Sequence, residues 1–438
     1  MTQVLAAQRG AGRLRALVAG NVAARLGALA ALALATVMVA RVGGPALVGA
    51  FTLLRVLPGI AGVLGAAGLP GAAPYFLAAQ PGDPRLRPTL AALTCMGAVA
   101  ATAGWLLLTP LLHRLFFSTW GVGLVLAGGI AVFTQLFVAV GKSLLQGGED
   151  LRGANAAIVA EEAAFLPLYA VLLAWPVGEP TTTVVVALVA ADIAVALGIA
   201  ERLRRTGFFR GWARPDVALG REICGYGGRG QLGGLLVLVN MRLDVAILGA
   251  LAGPAVLGVY AVASKYAELL RLPGLAVTYV LYPSFARRQP GDARARTRSL
   301  IAPAAWLNVA AALPLGLAAG LLLPLVYGSA FDAAVAPALI LLCGLVGEGV
   351  AGLLTAYLYG VGRPGLNSLA IGVGVVVTVV GDLLLIPRYG AVGAAIASAL
   401  AYLATCAMLL GCFAAVPAAG RASGGARRSI HPVQGSTP

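Results

Sequence analysis

The sequence predicts an all-α integral membrane protein with about twelve transmembrane helices, in two parallel six-helix repeats around a central cavity. Of its 438 residues, 60% are apolar and 11% are charged, whereas an average soluble domain is about half apolar and about a quarter charged. The apolar residues fall in long runs such as 26–40 and 366–380, and a hydrocarbon core of about 30 Å needs about 20 such residues in a helix. A Gly-Pro motif also recurs about halfway along the chain.

The candidate spans account for most of the chain, so no separate soluble domain fits between them. In order, they are 17–41, 50–79, 88–112, 120–145, 155–176, 181–201, 226–250, 255–286, 299–327, 333–358, 365–386 and 391–414. Their apolar runs are continuous and do not alternate with polar residues, which excludes a β-barrel. The same hydrophobicity excludes disorder, although the net charge is +15.

The basic residues predict the orientation. If the N-terminus is cytoplasmic, most of them lie in termini and connections on that side, and the far side receives Arg41, Arg114 and Arg388. An excess of Lys and Arg is typical of cytoplasmic loops. We therefore expect a multi-pass cell-membrane protein with both termini in the cytoplasm, and no nucleic-acid partner is needed to explain the basicity. The first span is too long for the apolar region of a signal peptide.

The predicted organisation has five segments. A cytoplasmic N-terminal segment covers 1–16, and a flexible cytoplasmic tail covers 415–438. Between them lie a six-helix bundle at 17–201, a basic cytoplasmic linker at 202–225 and a second six-helix bundle at 226–414.

The two predicted bundles share sequence motifs. Residues 44–51 read Gly-Pro-Ala-Leu-Val-Gly-Ala-Phe, and residues 253–260, at an offset of 209, read Gly-Pro-Ala-Val-Leu-Gly-Val-Tyr. At an offset of 212, the residues Gly148, Gly153 and Asn155 match Gly360, Gly365 and Asn367. Convergence of tight membrane turns on Gly-Pro is the alternative explanation. A duplicated six-helix unit gives parallel repeats about an axis along the membrane normal, an arrangement that transporters use.

Residues with enzymatic or metal-binding chemistry are sparse. The cysteines, which lack the spacing of a zinc site or a disulfide framework, are Cys95, Cys224, Cys343, Cys406 and Cys412. His113 and His431 both lie outside the spans, and no P-loop occurs. We therefore expect no cofactor, no metal and no enzymatic activity, with energy taken from gradients.

Short motifs lie near the ends of several spans. Residues 240–244 (Asn-Met-Arg-Leu-Asp) precede Gly253-Pro254 and residues 258–260 (Gly-Val-Tyr). Other motifs are residues 385–390 (Leu-Ile-Pro-Arg-Tyr-Gly) with 392–395, Gly68-Leu69-Pro70, and Tyr327-Gly328 with Phe331. Together they resemble the polysaccharide flippases, the lipid-linked oligosaccharide translocases of a superfamily that also holds multidrug exporters and lipid II flippases. Relatives often carry a basic residue after Gly-Leu-Pro, where this chain has Pro74-Tyr75.

The resemblance implies a flippase that moves polyprenyl-pyrophosphate-linked oligosaccharide from the cytoplasmic to the outer leaflet for cell-surface polysaccharide biosynthesis, by alternating access of the two halves. The implied partners are this lipid-linked substrate, membrane lipids, H+ or Na+, and the polymerase and glycosyltransferases of the same pathway. A cation-coupled multidrug or small-solute exporter of the superfamily is the alternative. A membrane-embedded polysaccharide polymerase or ligase is disfavoured, because such enzymes usually carry a large outer loop and every outer connection here is short.

The eighth span carries a polar stripe. At 100° per residue, less than half of the helix circumference holds Tyr260, Ser264, Lys265, Glu268 and Arg271. An anionic diphosphate needs buried cations to cross hydrocarbon, so we expect this stripe to face the cavity. The spacing also predicts the pairs Lys265–Glu268 and Glu268–Arg271. A self-neutralising network between helices is the alternative.

The first two spans add polar residues to the predicted cavity. Asn21, Arg25 and Thr36 share one face of the first span. Arg25 lies too deep to be only an interface anchor, although long arginine side chains do snorkel, and Arg55 in the second span is open to both interpretations. We predict that Arg25, Lys265 and Arg271 line one central cavity.

Single carboxylates within the spans are candidates for ion coupling. They are Glu162, Asp244, Glu348 and Asp382. Asp244 shares a helix face with Asn240, and we expect it to meet a cation on another helix or a coupling ion. For each carboxylate, the alternative is a structural contact with a hydroxyl on a neighbouring helix.

Overall fold

The chain folds as a helical integral membrane protein. The computed structural model describes residues 2–175, 177–210, 213–271 and 290–416, with the side chains of 2–18, 229–241 and 290 outside the description. Within this described part, nine helices are long and apolar enough to cross a membrane. The predicted all-α membrane fold is confirmed, and the number of crossings stays a prediction. Asn240, the end of the eighth predicted span and the tail after residue 416 lie outside the description.

The helices cover the predicted spans within the described residues, although their boundaries differ from those of the spans. In chain order, they are α1 (Thr2–Ala66), α2 (Leu69–Ala79), α3 (Leu86–Phe116), α4 (Val122–Gly147), α5 (Leu151–Ala163), α6 (Phe165–Ala174), α7 (Pro180–Arg205), α8 (Val217–Ala267), α9 (Pro290–Tyr327), α10 (Val335–Leu345), α11 (Glu348–Gly360) and α12 (Pro364–Ala415). Short 3-10 helices cover Glu268–Leu270 and Ser329–Ala334.

Three of the longest helices bend sharply at one glycine each. Gly44 in α1 has φ 63° and ψ −158°, and Gly253 in α8 has φ 81° and ψ 175°. Gly390 in α12 has φ 53° and ψ −126°. Residues that carry a Cβ rarely adopt such backbone angles. Each glycine therefore separates two helical segments at a place where the sequence predicts the connection between two spans.

The two Gly-Pro motifs contact each other reciprocally. A Cβ added to Gly49 would overlap the carbonyl oxygen of Pro254, and a Cβ added to Gly258 would overlap the carbonyl oxygen of Pro45. Both glycines lie four residues after the proline of their own motif. Each motif therefore makes the same contact with the other, as is expected when two segments are related by a two-fold axis.

The second predicted span is interrupted within the Gly-Leu-Pro motif. Gly68 adopts a left-handed conformation with φ 83°, and Pro70 then lies in the first turn of α2. A Cβ on Gly68 would overlap the backbone of Gly227 in α8. The motif thus ends one helix, starts the next and allows the backbones of the two halves to touch. The tenth predicted span is likewise divided, since α10 ends at Leu345 and α11 begins at Glu348.

The connection between the halves is shorter than the predicted linker at 202–225, because both flanking helices extend into it. Asp216 caps the start of α8 by accepting from Leu219 N–H at 3.0 Å. Its carboxylate also pairs with Arg85 at 2.9 Å, and its own N–H donates to Thr89 Oγ1 at 2.9 Å. The backbone hydrogen bond from Leu219 is the main cause that lowers the pKa of Asp216 below its ordinary value, and the backbone of Ala218 and the Arg85 charge add to it. These contacts join the start of the second half to α3.

Candidate functional site

Lys265 joins the two halves by a side-chain hydrogen bond. Its Nζ, on α8, donates to Thr36 Oγ1 on α1 at 2.8 Å. The Thr36 hydroxyl in turn donates to the Leu32 carbonyl at 2.8 Å, which leaves its oxygen free to accept from Lys265. The ammonium of Lys265 is therefore held at the interface of the halves by a neutral partner.

A second cation lies in the first half, at about the same level as Lys265. Arg55 forms an ion pair with Glu162 on α5, and its Cζ lies 5.5 Å from the centre of the Phe51 ring. Arg55 is 11 residues past Gly44, and Lys265 is 12 residues past Gly253. Because the two Gly-Pro motifs contact each other, both cations lie at about the same level along the helices. We call Arg55, its partner Glu162 and Lys265 the interface cluster.

The predicted pairs within the eighth span are wrong. Neither Lys265–Glu268 nor Glu268–Arg271 occurs among the ion pairs of the described residues. The helix changes from α to 3-10 geometry at Glu268, which alters the spacing between side chains. Lys265 turns to α1 instead, and the Glu268 side chain is exposed.

Arg271 contacts the second half on two sides. Its Nε lies 4.0 Å from Glu348 Oε1, and its Cζ lies 5.0 Å from the centre of the Tyr402 ring. This Nε is buried and has no hydrogen-bond partner within the described part of the chain. The guanidinium is therefore positioned by a weak ion pair and a cation–π contact and retains donor capacity.

The two aspartates of the second half are buried with few partners. Tyr260 Oη donates to Asp244 Oδ2 at 2.5 Å, and a hydrogen bond of 2.9 Å joins Tyr260 to Ser398. Asp382 is 0% exposed, and both of its carboxylate oxygens lack a hydrogen-bond partner among the described residues. The side-chain partner of Asp244 in this structure is a hydroxyl and not the expected cation on another helix.

Arg25 belongs to a separate polar chain. Its Nε donates to Asn21 Oδ1 at 3.0 Å, and Asn21 Nδ2 donates to Asn155 Oδ1 at 2.9 Å. The Arg25 side chain is exposed. None of the hydrogen bonds or ion pairs of the described residues joins Arg25 to Lys265 or Arg271, so the predicted convergence of the three cations stays a prediction.

The cations lie at two depths along the helices. With a rise of about 1.5 Å per residue, Thr36 and Arg55 lie about 12–17 Å from the bend at Gly44, and Lys265 lies about 18 Å from the bend at Gly253. By the same measure, Arg25 lies about 28 Å and Arg271 about 27 Å from those bends. The positive charges thus form two levels, about 10 Å apart.

Some polar contacts were not predictable from helical spacing. Lys142 on α4 forms an ion pair with Glu161 on α5. Asp192 is 8% exposed and accepts from Gln135 Nε2 at 3.1 Å. The first contact joins the consecutive helices α4 and α5, the second joins α4 to α7, and the spacing of residues along a single helix predicts neither. Among the described residues, no group of three or more His, Cys, Asp or Glu side chains could hold a metal ion.

Solved structures of transporters share this fold. The lipid II flippase MurJ, in an inward closed conformation, matches with a TM-score of 0.73 and 12% identity over 92% of this chain and 88% of that one. A multidrug resistance MATE family transporter of the MOP superfamily matches in its inward-facing conformation with a TM-score of 0.70 and 19% identity, over 90% of this chain and 96% of that one. An outward-facing MATE transporter of the same superfamily matches with a TM-score of 0.60 and 16% identity, over 91% and 94%.

No curated protein sequence matches the chain. The family described as "Polysaccharide biosynthesis protein" matches residues 17–289, which is more than half of the chain. The chain is therefore a membrane protein of the polysaccharide biosynthesis family.

Proposed function

We propose that this protein flips polyprenyl-pyrophosphate-linked oligosaccharide from the cytoplasmic to the outer leaflet of the cell membrane, for polysaccharide at the cell surface. The family description supports the pathway, and the name of one solved structure of similar fold, a lipid II flippase, supports lipid-linked cargo. The proposed orientation has both termini in the cytoplasm, in agreement with the distribution of basic residues.

The interface cluster is the observation that carries the proposal. A prenyl tail can remain in lipid, but the diphosphate must cross about 30 Å of hydrocarbon and loses water as it does so. Lys265 forms a hydrogen bond between the two halves, and Arg55 lies at about the same level along the helices. In parallel-repeat transporters the substrate path runs between the halves, so an anion there is accessible to each side of the membrane in turn.

The two levels of cations suggest a stepwise path. The substrate first meets Arg25 and Arg271 at the level further from the glycine bends, and it then reaches Arg55 and Lys265. The spacing of about 10 Å is comparable to the length of a diphosphate with its first sugar, so one headgroup can bridge the two levels. The fold itself supports alternating access, since MATE structures of this fold are described as inward-facing and as outward-facing.

We place cation coupling at Asp244 and Asp382. Both carboxylates are buried, and neither carboxylate oxygen of Asp382 has a hydrogen-bond partner among the described residues. A buried pair of carboxylates is stabilised when H+ or Na+ binds, because the ion removes the cost of unpaired charge. Glu162 and Glu348 are paired with Arg55 and Arg271, and we assign them to the substrate cations.

Cation-coupled export of drugs or other small solutes is the second candidate. The MATE matches and the buried Asp244 favour it. The interface cluster favours the flippase, because Arg55 and Lys265 would repel the organic cations that multidrug exporters often carry.

Transport in liposomes tests the proposal. The purified protein is reconstituted with a fluorescent prenyl-diphosphate disaccharide, and the loss of outer-leaflet signal on adding a membrane-impermeant quencher is followed over time. We expect the double variant Arg55→Ala, Lys265→Ala to slow flipping by at least about tenfold. The control Arg204→Ala, which removes an exposed arginine paired with Glu201, retains the wild-type rate. A normal rate in the double variant, or transport of a cationic dye and not of the lipid, would overturn the proposal.

The proposed partners follow from the reaction. Glycosyltransferases must assemble the lipid-linked oligosaccharide on the cytoplasmic side, and a polymerase must use it on the other side.

A further inference from the structure

Arg55 has an anion before any substrate arrives. Its guanidinium is paired with the Glu162 carboxylate, and the two side chains are 20% and 19% exposed. The pair is thus neither sealed in the core nor freely solvated. A phosphate that is to bind Arg55 must displace Glu162, since both are oxygen acceptors for the same N–H donors.

Lys265 has no such anion. It donates to the neutral Thr36 hydroxyl, and no carboxylate lies within 4.0 Å of it among the ion pairs of the described residues. The interface cluster therefore has one uncompensated positive charge, and that charge lies on Lys265.

We propose that Glu162 sets a charge threshold, so that the interface cluster accepts a diphosphate headgroup and rejects a monophosphate one. This inference rests on the proposed function, because it concerns the same site. A phosphodiester monoanion neutralises Lys265 but gains nothing by exchanging with Glu162 at Arg55. A diphosphate diester has one ionised oxygen on each phosphate, so one phosphate binds Lys265 while the other displaces Glu162 from Arg55.

Two features of the Arg55–Glu162 pair allow a phosphate to displace Glu162: the number of hydrogen bonds in the pair and the partial exposure of the carboxylate. Arg binds phosphate through two parallel N–H donors, whereas Glu162 contacts Arg55 through one described hydrogen bond at Nη2. The carboxylate that is released is partly exposed, so water can replace the guanidinium. Selectivity thus arises from competition by a resident anion and not from the shape of the site.

The sequence offers a matched control for Glu162. Its neighbour Glu161 is also a paired carboxylate on α5, but it pairs with Lys142 on α4 and lies outside the interface cluster. Glu161→Gln therefore removes the same charge from the same helix without releasing Arg55. Any change specific to Glu162→Gln reports on competition for Arg55.

Binding of small anions tests the threshold without transport. The full-length protein in detergent is titrated with dimethyl phosphate, a monoanion, and with symmetric dimethyl pyrophosphate, followed by intrinsic fluorescence. The wild type and Glu161→Gln should bind the pyrophosphate about tenfold or more tightly than the monophosphate. Glu162→Gln should bind the monophosphate about tenfold more tightly than the wild type does, so that its affinities for pyrophosphate and monophosphate become similar. If Glu162→Gln keeps the wild-type ratio, or if Glu161→Gln loses it, the threshold is refuted.

Transport separates this inference from the proposed function. Liposomes are prepared with a prenyl-diphosphate sugar or with the corresponding prenyl-monophosphate sugar. If the wild type flips the diphosphate lipid and Glu162→Gln prefers that lipid over the monophosphate lipid as strongly as the wild type does, the threshold is refuted and the flippase proposal stands. If the protein binds pyrophosphate selectively but flips neither lipid, the flippase proposal is refuted and the threshold stands. If Glu162→Gln does not fold, Glu162→Asp, which keeps the charge but shortens the reach to Arg55, should still raise monophosphate binding; unchanged binding would count against the threshold.

Discussion

Gly49 lies against the backbone carbonyl of Pro254, and no side chain fits between them. The contact joins the first half of the chain to the second at the level of the two glycine bends. Since α-helices come this close only where a residue lacks a Cβ, the glycine determines how tightly the halves can close.

We expect Gly49→Ala to destabilise the closed arrangement of the halves by about 1–3 kcal/mol, as overpacking does in a well-packed interior. Gly258→Ala should have the same effect, because it meets Pro45 in the same way. Thermal unfolding in detergent measures both. Gly104→Ala is the control, since nothing lies within 4 Å of a Cβ there. Equal melting temperatures for all three variants would contradict a close contact between the halves.

The orientation predicts which positions an impermeant thiol reagent can reach. In a cysteine-free background, single cysteines at Gly178 and Ser329 should be labelled from outside the cell. Cysteines at Arg210 and Arg294 should be labelled only after the membrane is permeabilised. Outside labelling at position 210 would overturn both the orientation and the count of crossings before it.

Arg25 and Arg271, the cations further from the glycine bends, should be needed for transport more than for folding. The double variant Arg25→Ala, Arg271→Ala should lower flipping by at least about tenfold, while its abundance in the membrane stays near that of the wild type. Arg271→Lys should recover little, because Lys cannot stack on the Tyr402 ring as the planar guanidinium does. A double variant that flips normally would exclude this level from the path. A large drop in abundance would instead indicate a structural role for the pair with Glu348.

Asp382 should make stability depend on cations. In buffer without sodium, Asp382→Asn should raise the free energy of unfolding by about 1–3 kcal/mol, because an amide in that buried place avoids an unpaired charge. Sodium should raise the melting temperature of the wild type and leave that of Asp382→Asn unchanged. The exposed Asp332, changed to Asn, serves as the control. A wild type that responds to neither sodium nor lower pH would exclude coupling at this carboxylate.

The membrane fold was predictable because its cause is local. A hydrocarbon core imposes one length and one composition on every spanning helix, and both are written in consecutive residues. The connections were predictable for the same reason: Gly44 and Gly253 precede prolines, and the structure bends at both. The interruption at Gly68 was not anticipated, because the run around it is continuously apolar and only the approach of Gly227 requires the break.

The partners of the polar side chains were decided by the tertiary structure. Spacing along α8 predicts which residues share a face, and it assigned Lys265 and Arg271 to Glu268 as the nearest charge in sequence. In the fold, Lys265 bonds Thr36 on α1, and Arg271 contacts Glu348 and Tyr402. Helical periodicity gives the direction of a side chain but not the helix that it meets. The sequence alone thus determined a polytopic helical protein with cations inside its spans. Only the packing of the helices decided which of those cations form an ion pair among the described residues and which, like Lys265, do not.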